Sequence, residues 1–325
     1  MSEDIVCSKF IDCTFNNIKF KACKFIGCVF ENCNFDEGGV IFENCIFIKE
    51  DSEMLPSLNR KDNLGCSFYN CNIYSKFLNS DISYSIFENC KLKNTNLELT
   101  SASSCIMIEC EFNKVEIIDC DFRGFKTFDT YMVNFEFNDK FLTKFDEKTF
   151  FDKIPLRIKD KQEYEGIYAI YQNIGNKYKD NTLNSNFGEY YYLAKSVERK
   201  IIDPLPKIGS YIYWLTCGYG ERPFFCVFSA LFIIFIFSFL YLMTGIDTDG
   251  KTIIYTFNNI STWNIGKFIR DFNEAFNLSV GMFSGVGIDN GKPTEIGYMV
   301  ANLEMLIGIV LMGVGVGTLT RKAIR

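Results

Sequence analysis

The chain has 325 residues, 48% of them hydrophobic and 16% aromatic, with a formal net charge of −6. It contains 34 Phe and 14 Cys but no His, which excludes Ser-His-Asp and Cys-His nucleophile systems, His-ligated zinc and HExxH metalloproteases. The acidic balance argues against a protein that grips nucleic acid by its phosphates. The opening MSEDIVCSKF carries no apolar run behind basic residues, so this segment is expected in the cytoplasm with its thiols reduced.

From Phe10 the chain sets Phe at every fifth position through Phe15, Phe20, Phe25, Phe30 and Phe35, with Cys13, Cys23, Cys28 and Cys33 two residues ahead of their Phe. An insertion around Gly38 and Gly39 shifts the register before Phe42 and Cys45/Phe47. After a polar break the rhythm returns as Cys66/Phe68, Cys71/Ile73, Cys90/Leu92, Cys105/Met107, Cys110/Phe112 and Cys120/Phe122. A helix repeats near 3.6 residues and a strand at 2, so neither accounts for a period of five. The pattern resembles the pentapeptide-repeat family. That resemblance implies a right-handed quadrilateral β-helix with four pentapeptides per coil, hence about six coils over residues 5–125, each burying its apolar face on its neighbours. Eleven cysteines fall in the small-residue column without any CxxC pair. They read as small buried hydrophobes, not as metal or redox ligands.

Residues 126–205 read as a linker and a helical hairpin. Tyr164, Ile167, Tyr168, Tyr171, Ile174 and Tyr178 recur at three- and four-residue intervals, and Phe187, Tyr190, Tyr191, Ala194 and Val197 do so in a second helix. The hairpin looks TPR-like; its aromatic face is expected to be packed core between domains, with a peptide groove as the other reading.

Residues 206–325 read as a membrane domain. Spans are expected at about 223–246, a run without charge, and at about 296–319, because about 20 apolar residues cross the ~30 Å hydrocarbon core. Tyr211, Tyr213 and Trp214 precede the first span as an interfacial belt. Basic residues flank both spans on one side (Arg199, Lys200, Lys207 and Arg222, then Arg321, Lys322 and Arg325). Both termini are thus expected on the cytoplasmic side of the cell (inner) membrane.

Between the spans, Phe268, Phe272, Ala275, Phe276, Ser279 and Val280 form one helical face leading into Met282-Phe283-Ser284-Gly285-Val286-Gly287-Ile288-Asp289. A short apolar helix feeding a glycine-rich stretch has the layout of a pore loop, at about 268–289. The order of span, pore helix, Gly-Val-Gly and span resembles the two-transmembrane, pore-loop potassium-channel domain. With Leu215 to Pro223 and Leu303 to Gly308, the whole chain resembles bacterial pentapeptide-repeat ion-channel proteins. The resemblance implies a homotetramer in a lipid bilayer whose pore residues are Ser284, Gly285, Val286, Gly287, Ile288 and Asp289. Aligned on Val286-Gly287, the filter has Gly285 at the threonine position, Ile288 at the tyrosine and Asp289 at the second glycine. Permeant monovalent cations such as K+ or Na+ with weak selectivity are therefore expected, with Asp289 as a carboxylate ring. The earlier Gly218-Tyr219-Gly220 is a decoy, lying before the first span with no pore helix ahead of it.

Glu304 is an ionisable residue two turns inside the second span, a position that reads as functional; a supporting hydrogen bond to the pore helix or filter is the favoured role. Gly308, Gly313, Gly315 and Gly317 read as close-packing positions or, for Gly308 and Gly313 above all, as a gating hinge. No catalytic pair, phosphate loop, cofactor site or metal set is present, so no enzyme activity is expected. The repeats are expected to regulate or assemble the pore, with room for a protein or ligand partner. The alternative is a non-conducting, membrane-anchored scaffold. An acidic DNA mimic, suggested by 19 acids against 11 bases over residues 1–122, suits a tethered chain poorly.

Overall fold

The computed structural model describes residues 4–48, 65–248, 250–255, 264–287 and 291–324. The chain divides into two compact units, Met1–Ile202 and Asp203–Arg325.

The first unit is a β-solenoid of parallel strands. Short strands such as Lys9–Ile11, Val29–Glu31, Ser67–Tyr69, Ile86–Glu88, Ile106–Ile108, Lys126–Phe128 and Phe150–Phe151 stack into one seven-stranded face. Longer strands, among them Asn34–Glu43, Lys91–Glu98 and Glu111–Ile118, bend around a corner to serve the adjoining faces. Successive coils pair Lys91 with Glu111 and Glu111 with Tyr131, twenty residues apart. The chain turns at each corner on a residue with left-handed backbone, five residues from the next, as at Cys7, Asp12, Asn17, Ala22, Gly27 and Asn32. Asn and Asp tolerate this conformation better than other non-glycine residues. Some also link coils sideways: Asn32 donates to Asp12 at 3.0 Å, Asn70 to Asn32 at 3.2 Å and Asn89 to Asn70 at 2.7 Å.

Inside, the period of five becomes columns. Phe10, Phe30, Phe68 and Phe87 stack ring on ring with centroids 4.8, 4.7 and 4.4 Å apart. Phe20, Phe42 and Phe77 form a second stack. The small-residue column is equally regular. Thiols of successive coils reach a carbonyl of the coil below, Cys71 to Phe30, Cys90 to Phe68 and Cys110 to Phe87, at 3.4–3.5 Å. Burial pushes the thiols of Cys33 and Cys45 up to about 11 and that of Cys120 up to about 12. At these three positions thiolate, the reactive form, is thereby suppressed near neutrality. Cys13 is only half-buried, because the first coil has solenoid on one side of it.

The solenoid does not stop at 125. Tyr131–Phe137 lies parallel on Glu111–Ile118, and Phe150–Phe151 on Lys126–Phe128. The rhythm fades in the sequence because Thr127, Thr130, Met132 and Thr149 occupy column positions that earlier coils give to Phe and Cys.

Helices α1 (Lys161–Asp180) and α2 (Asn184–Ile201) close this end. Asp160 caps α1 by accepting from the Glu163 N–H at 2.7 Å. The tyrosine face meets the last coil and satisfies its open backbone. Tyr190 accepts from the Phe151 N–H and donates to the Phe151 carbonyl, both at 2.8 Å. Tyr178 donates to the Thr149 carbonyl at 2.5 Å, and Tyr171 accepts from the Ile154 N–H at 2.9 Å. The aromatic stripe is thus a cap, which an exposed sheet end requires, and it does not line a peptide groove. Lys177 pairs with the buried Asp139 at 2.9 Å. Burial alone would raise the Asp139 carboxyl, but Thr143, Lys177 and the Asp119 N–H together hold it below the usual carboxylate range.

The second unit contains α3 (Pro204–Cys217), α4 (Pro223–Thr244), α5 (Ile265–Ser284) and α6 (Gly297–Ile324). Two of these, α4 and α6, are long and apolar enough to cross a membrane. Phe237, Tyr241 and Leu242 of α4, Ala275 and Leu278 of α5 and Ala301 of α6 form a shared core. A small antiparallel sheet joins Ile246–Thr248 to Lys251–Ile253 on one side and to Lys292–Pro293 on the other.

Candidate pore element and its supports

α5 starts at an Asn264 cap, whose side chain accepts from Gly266 and Lys267. Ala275, Leu278 and Ser279 face the protein, whereas Val280, expected on the same face, is 41% exposed. The helix ends at Ser284, whose hydroxyl donates back to the Gly281 carbonyl at 3.1 Å. Gly285 and Gly287 follow with φ of +73° and +74°, a region L side chains enter only at a cost. The N–H groups of Val286 and Gly287 both point at the Gly281 carbonyl, at 3.1 and 3.0 Å. Val286 itself is 85% exposed. The chain therefore leaves α5 in a tight glycine cap. Ile288 and Asp289 lie outside the described residues.

Both flanks of this stretch are anchored. On the far side, Thr294 donates to the Thr244 carbonyl at the end of α4 at 2.7 Å, and Asp247 pairs with Lys292 in the small sheet. On the near side, Tyr255 donates to Asp271 of α5 at 2.5 Å. Burial and that carboxylate push the Tyr255 phenol up to about 12.

Glu304 binds the three helices together. It is fully buried; Tyr241 of α4 donates to its Oε2 at 2.7 Å and Ser279 of α5 donates to its Oε1. Ser279 also lies 2.9 Å from the Ile234 carbonyl of α4. A carboxyl in an apolar interior persists only when its oxygens are hydrogen-bonded, and each oxygen here has a hydroxyl. The sequence marked Glu304 as an outlier and put Ser279 on the inner face of α5; it gave no sign that Tyr241 was the other partner.

Gly308 lies where α6 crosses the last turn of α5. A Cβ there would sit 2.1 Å from the Phe283 carbonyl, so this is a close-approach position. Gly313 and Gly317 face open space, and Gly315 faces Cys226. Gly218-Tyr219-Gly220, with φ of +53°, +59° and +81°, forms the elbow from α3 into α4. Tyr219 is buried there with its hydroxyl 2.8 Å from Ser210. Next to it the buried Glu221 pairs with Arg321 near the end of α6 at 3.0 Å, a contact that sequence reading missed. Among the described residues no cluster of His, Cys, Asp and Glu could hold a metal ion.

Two profiles described as pentapeptide repeats match the chain, one of nine copies at residues 10–51 and one of eight copies at 77–124. The first unit thus carries a pentapeptide-repeat β-solenoid. Both matches lie within that unit. Among solved structures, the chain is similar to trypsin-treated QnrB1, a plasmid-mediated fluoroquinolone resistance protein, with 18% identity over 46% of this chain and 79% of that one and a TM-score of 0.16. It is also similar to a pentapeptide repeat protein from the cyanobacterium Cyanothece 51142, with 10% identity over 46% and 88% and a TM-score of 0.21. A third likeness is HetL, involved in heterocyst differentiation regulation in the cyanobacterium Nostoc, with 9% identity over 41% and 62% and a TM-score of 0.15. No curated protein matches the chain.

Proposed function

We propose that the protein is a membrane ion channel that conducts monovalent cations with weak selectivity, and that the pentapeptide-repeat unit is its cytoplasmic regulatory or assembly domain. The observation that carries this reading is the end of α5. A helix that packs through Ala275, Leu278 and Ser279 lies between two membrane-length helices, is pinned to both through Glu304, and ends on two glycines with left-handed backbone. A simple tether needs none of these features.

A single pore loop encloses nothing, so four copies would close the ring with cyclic symmetry. The conducting path would run along Ser284, Gly285, Val286 and Gly287, with Ile288 and Asp289 at its outer mouth. Both termini would face the cytoplasm across the inner membrane. The permeant ion is the only small species the reading requires, with neither cofactor nor catalysis.

The test is purified full-length protein in a planar bilayer. Sodium and potassium should pass with similar ease, and Gly287→Val should abolish the current. Asp289→Asn should lower conductance most at low salt, where a carboxylate ring is least screened. A mass in mild detergent corresponding to one or two copies, or silence under every stimulus, would leave the scaffold reading in its place.

A further inference from the structure

Along its length α3 exposes an apolar stripe that the elbow does not use. Leu205, Ile208, Ile212 and Leu215 fall on one face of the helix and are 83%, 61%, 59% and 56% exposed. The opposite face is engaged: Ser210 bonds Tyr219, Trp214 meets the Phe225 ring edge-on with centroids 6.1 Å apart, and Cys217 is buried. The helix carries a single charge, Lys207.

We propose that α3 is an interfacial helix that seats this stripe in the acyl boundary of an anionic lipid leaflet. The inference rests on the reading of α4 and α6 as membrane spans. Two observations select lipid over a protein partner. The stripe continues an apolar surface, since the first turns of α4 expose Phe224, Val227, Phe228 and Leu231 immediately beyond the elbow. The ionic groups at this end of the unit are also mostly basic. Lys207, Arg222, Arg321 and Lys322 stand against Asp203 and Glu221, and Glu221 is tied to Arg321. An apolar stripe with basic neighbours and few acids matches a negatively charged headgroup layer. The elbow fixes the stripe: three successive residues with positive φ, one of them a buried tyrosine bonded to Ser210, join α3 to the foot of α4.

The test uses fluorescence quenching by bromine-labelled lipid in full-length protein reconstituted in bilayers. Trp214→Phe and Trp263→Phe remove the native reporters, and Ile212→Trp or, in a second variant, Leu205→Trp introduces one on the stripe. Phe235→Trp on α4 reports the span. Acyl-chain bromine should quench the stripe reporters several-fold, bromine near the headgroup should quench them more than bromine at the chain end, and labelled phosphatidylglycerol should exceed labelled phosphatidylcholine. Quenching at position 235 with none at 212 or 205 would overturn the interfacial helix and leave the spans standing. If the stripe reporters were then also shielded from aqueous acrylamide, a second copy or another protein surface would be its cover. No quenching at any position would remove the membrane reading together with the inference.

Discussion

The two units secure their interiors in opposite ways. In the solenoid each contact is repeated: the ring that Phe30 lays on Phe68 is laid again by Phe68 on Phe87, and the thiol contact of Cys71 recurs at Cys90 and Cys110. In the second unit each support occurs once. One carboxyl joins three helices, one glycine admits a crossing, and one ion pair ties the end of α6 to the elbow. Repetition spreads stability over many equivalent contacts, as expected of a quasi-one-dimensional array. Single supports concentrate it, so the units should differ sharply in how they answer small substitutions.

The largest effect should come from a charge placed in the repetitive unit. Cys71→Arg puts an unpaired guanidinium in a fully buried column and should unfold the solenoid, read as loss of the β circular-dichroism signal and as proteolysis within residues 65–151. Cys13→Arg should be much milder, since Cys13 is only half-buried. In the second unit a single methyl group should suffice. Gly308→Ala drives a Cβ into the Phe283 carbonyl and should cost about 3 kcal/mol or more, with loss of the assembled form in detergent. Glu304→Ala strands the Tyr241 and Ser279 hydroxyls and should cost about 2–4 kcal/mol in thermal melts, whereas Glu304→Gln, which keeps an oxygen and adds a donor, should recover most of that.

A smaller effect should appear at the cap. Asp139 has its folded-state pKa depressed. Its contribution is therefore present above the unfolded carboxylate value of about 4 and fades as pH falls through the lower folded value. Asp139→Asn should melt earlier than the natural chain at pH 7, and the two melting curves should converge in strong acid. The smallest effect belongs to Cys71→Ala, which removes only weak thiol contacts to the Phe30 and Tyr69 carbonyls and should cost about 1 kcal/mol. If Gly308→Ala proved as mild as Cys71→Ala, the contrast between repeated and single supports would collapse.

The same contrast governs what could be read from the sequence. A period of five declares itself because every coil restates it, and both membrane-length helices follow from composition alone. Residues 126–151 read as linker because their column positions hold Thr127, Thr130 and Met132, which keep the solenoid geometry without the aromatic signature. The tyrosines of α1 and α2 announced a buried face but not what buries it, since their partners are backbone groups of Thr149, Phe151 and Ile154. Gly308 stood among four similar glycines, and only the crossing of α5 and α6 distinguishes it. Glu304 was legible because a carboxyl in an apolar helix is costly wherever it occurs; Tyr241, chemically at home in a span, was not.

The corners of the solenoid carry a consequence for its history and its engineering. Lys19 pairs with Ile41, twenty-two residues on, and Val29 pairs with Ser67, thirty-eight residues on, yet Phe20 still stacks on Phe42 and Phe30 on Phe68. Extra chain thus enters between columns without displacing any ring. These two corners behave as ports: extra sequence is taken in there while the interior keeps count. A binding peptide, a cleavage site or a fluorescent domain grafted at residues 49–64 should leave Phe30 against Phe68, so the solenoid can acquire new surfaces without having to refold its core.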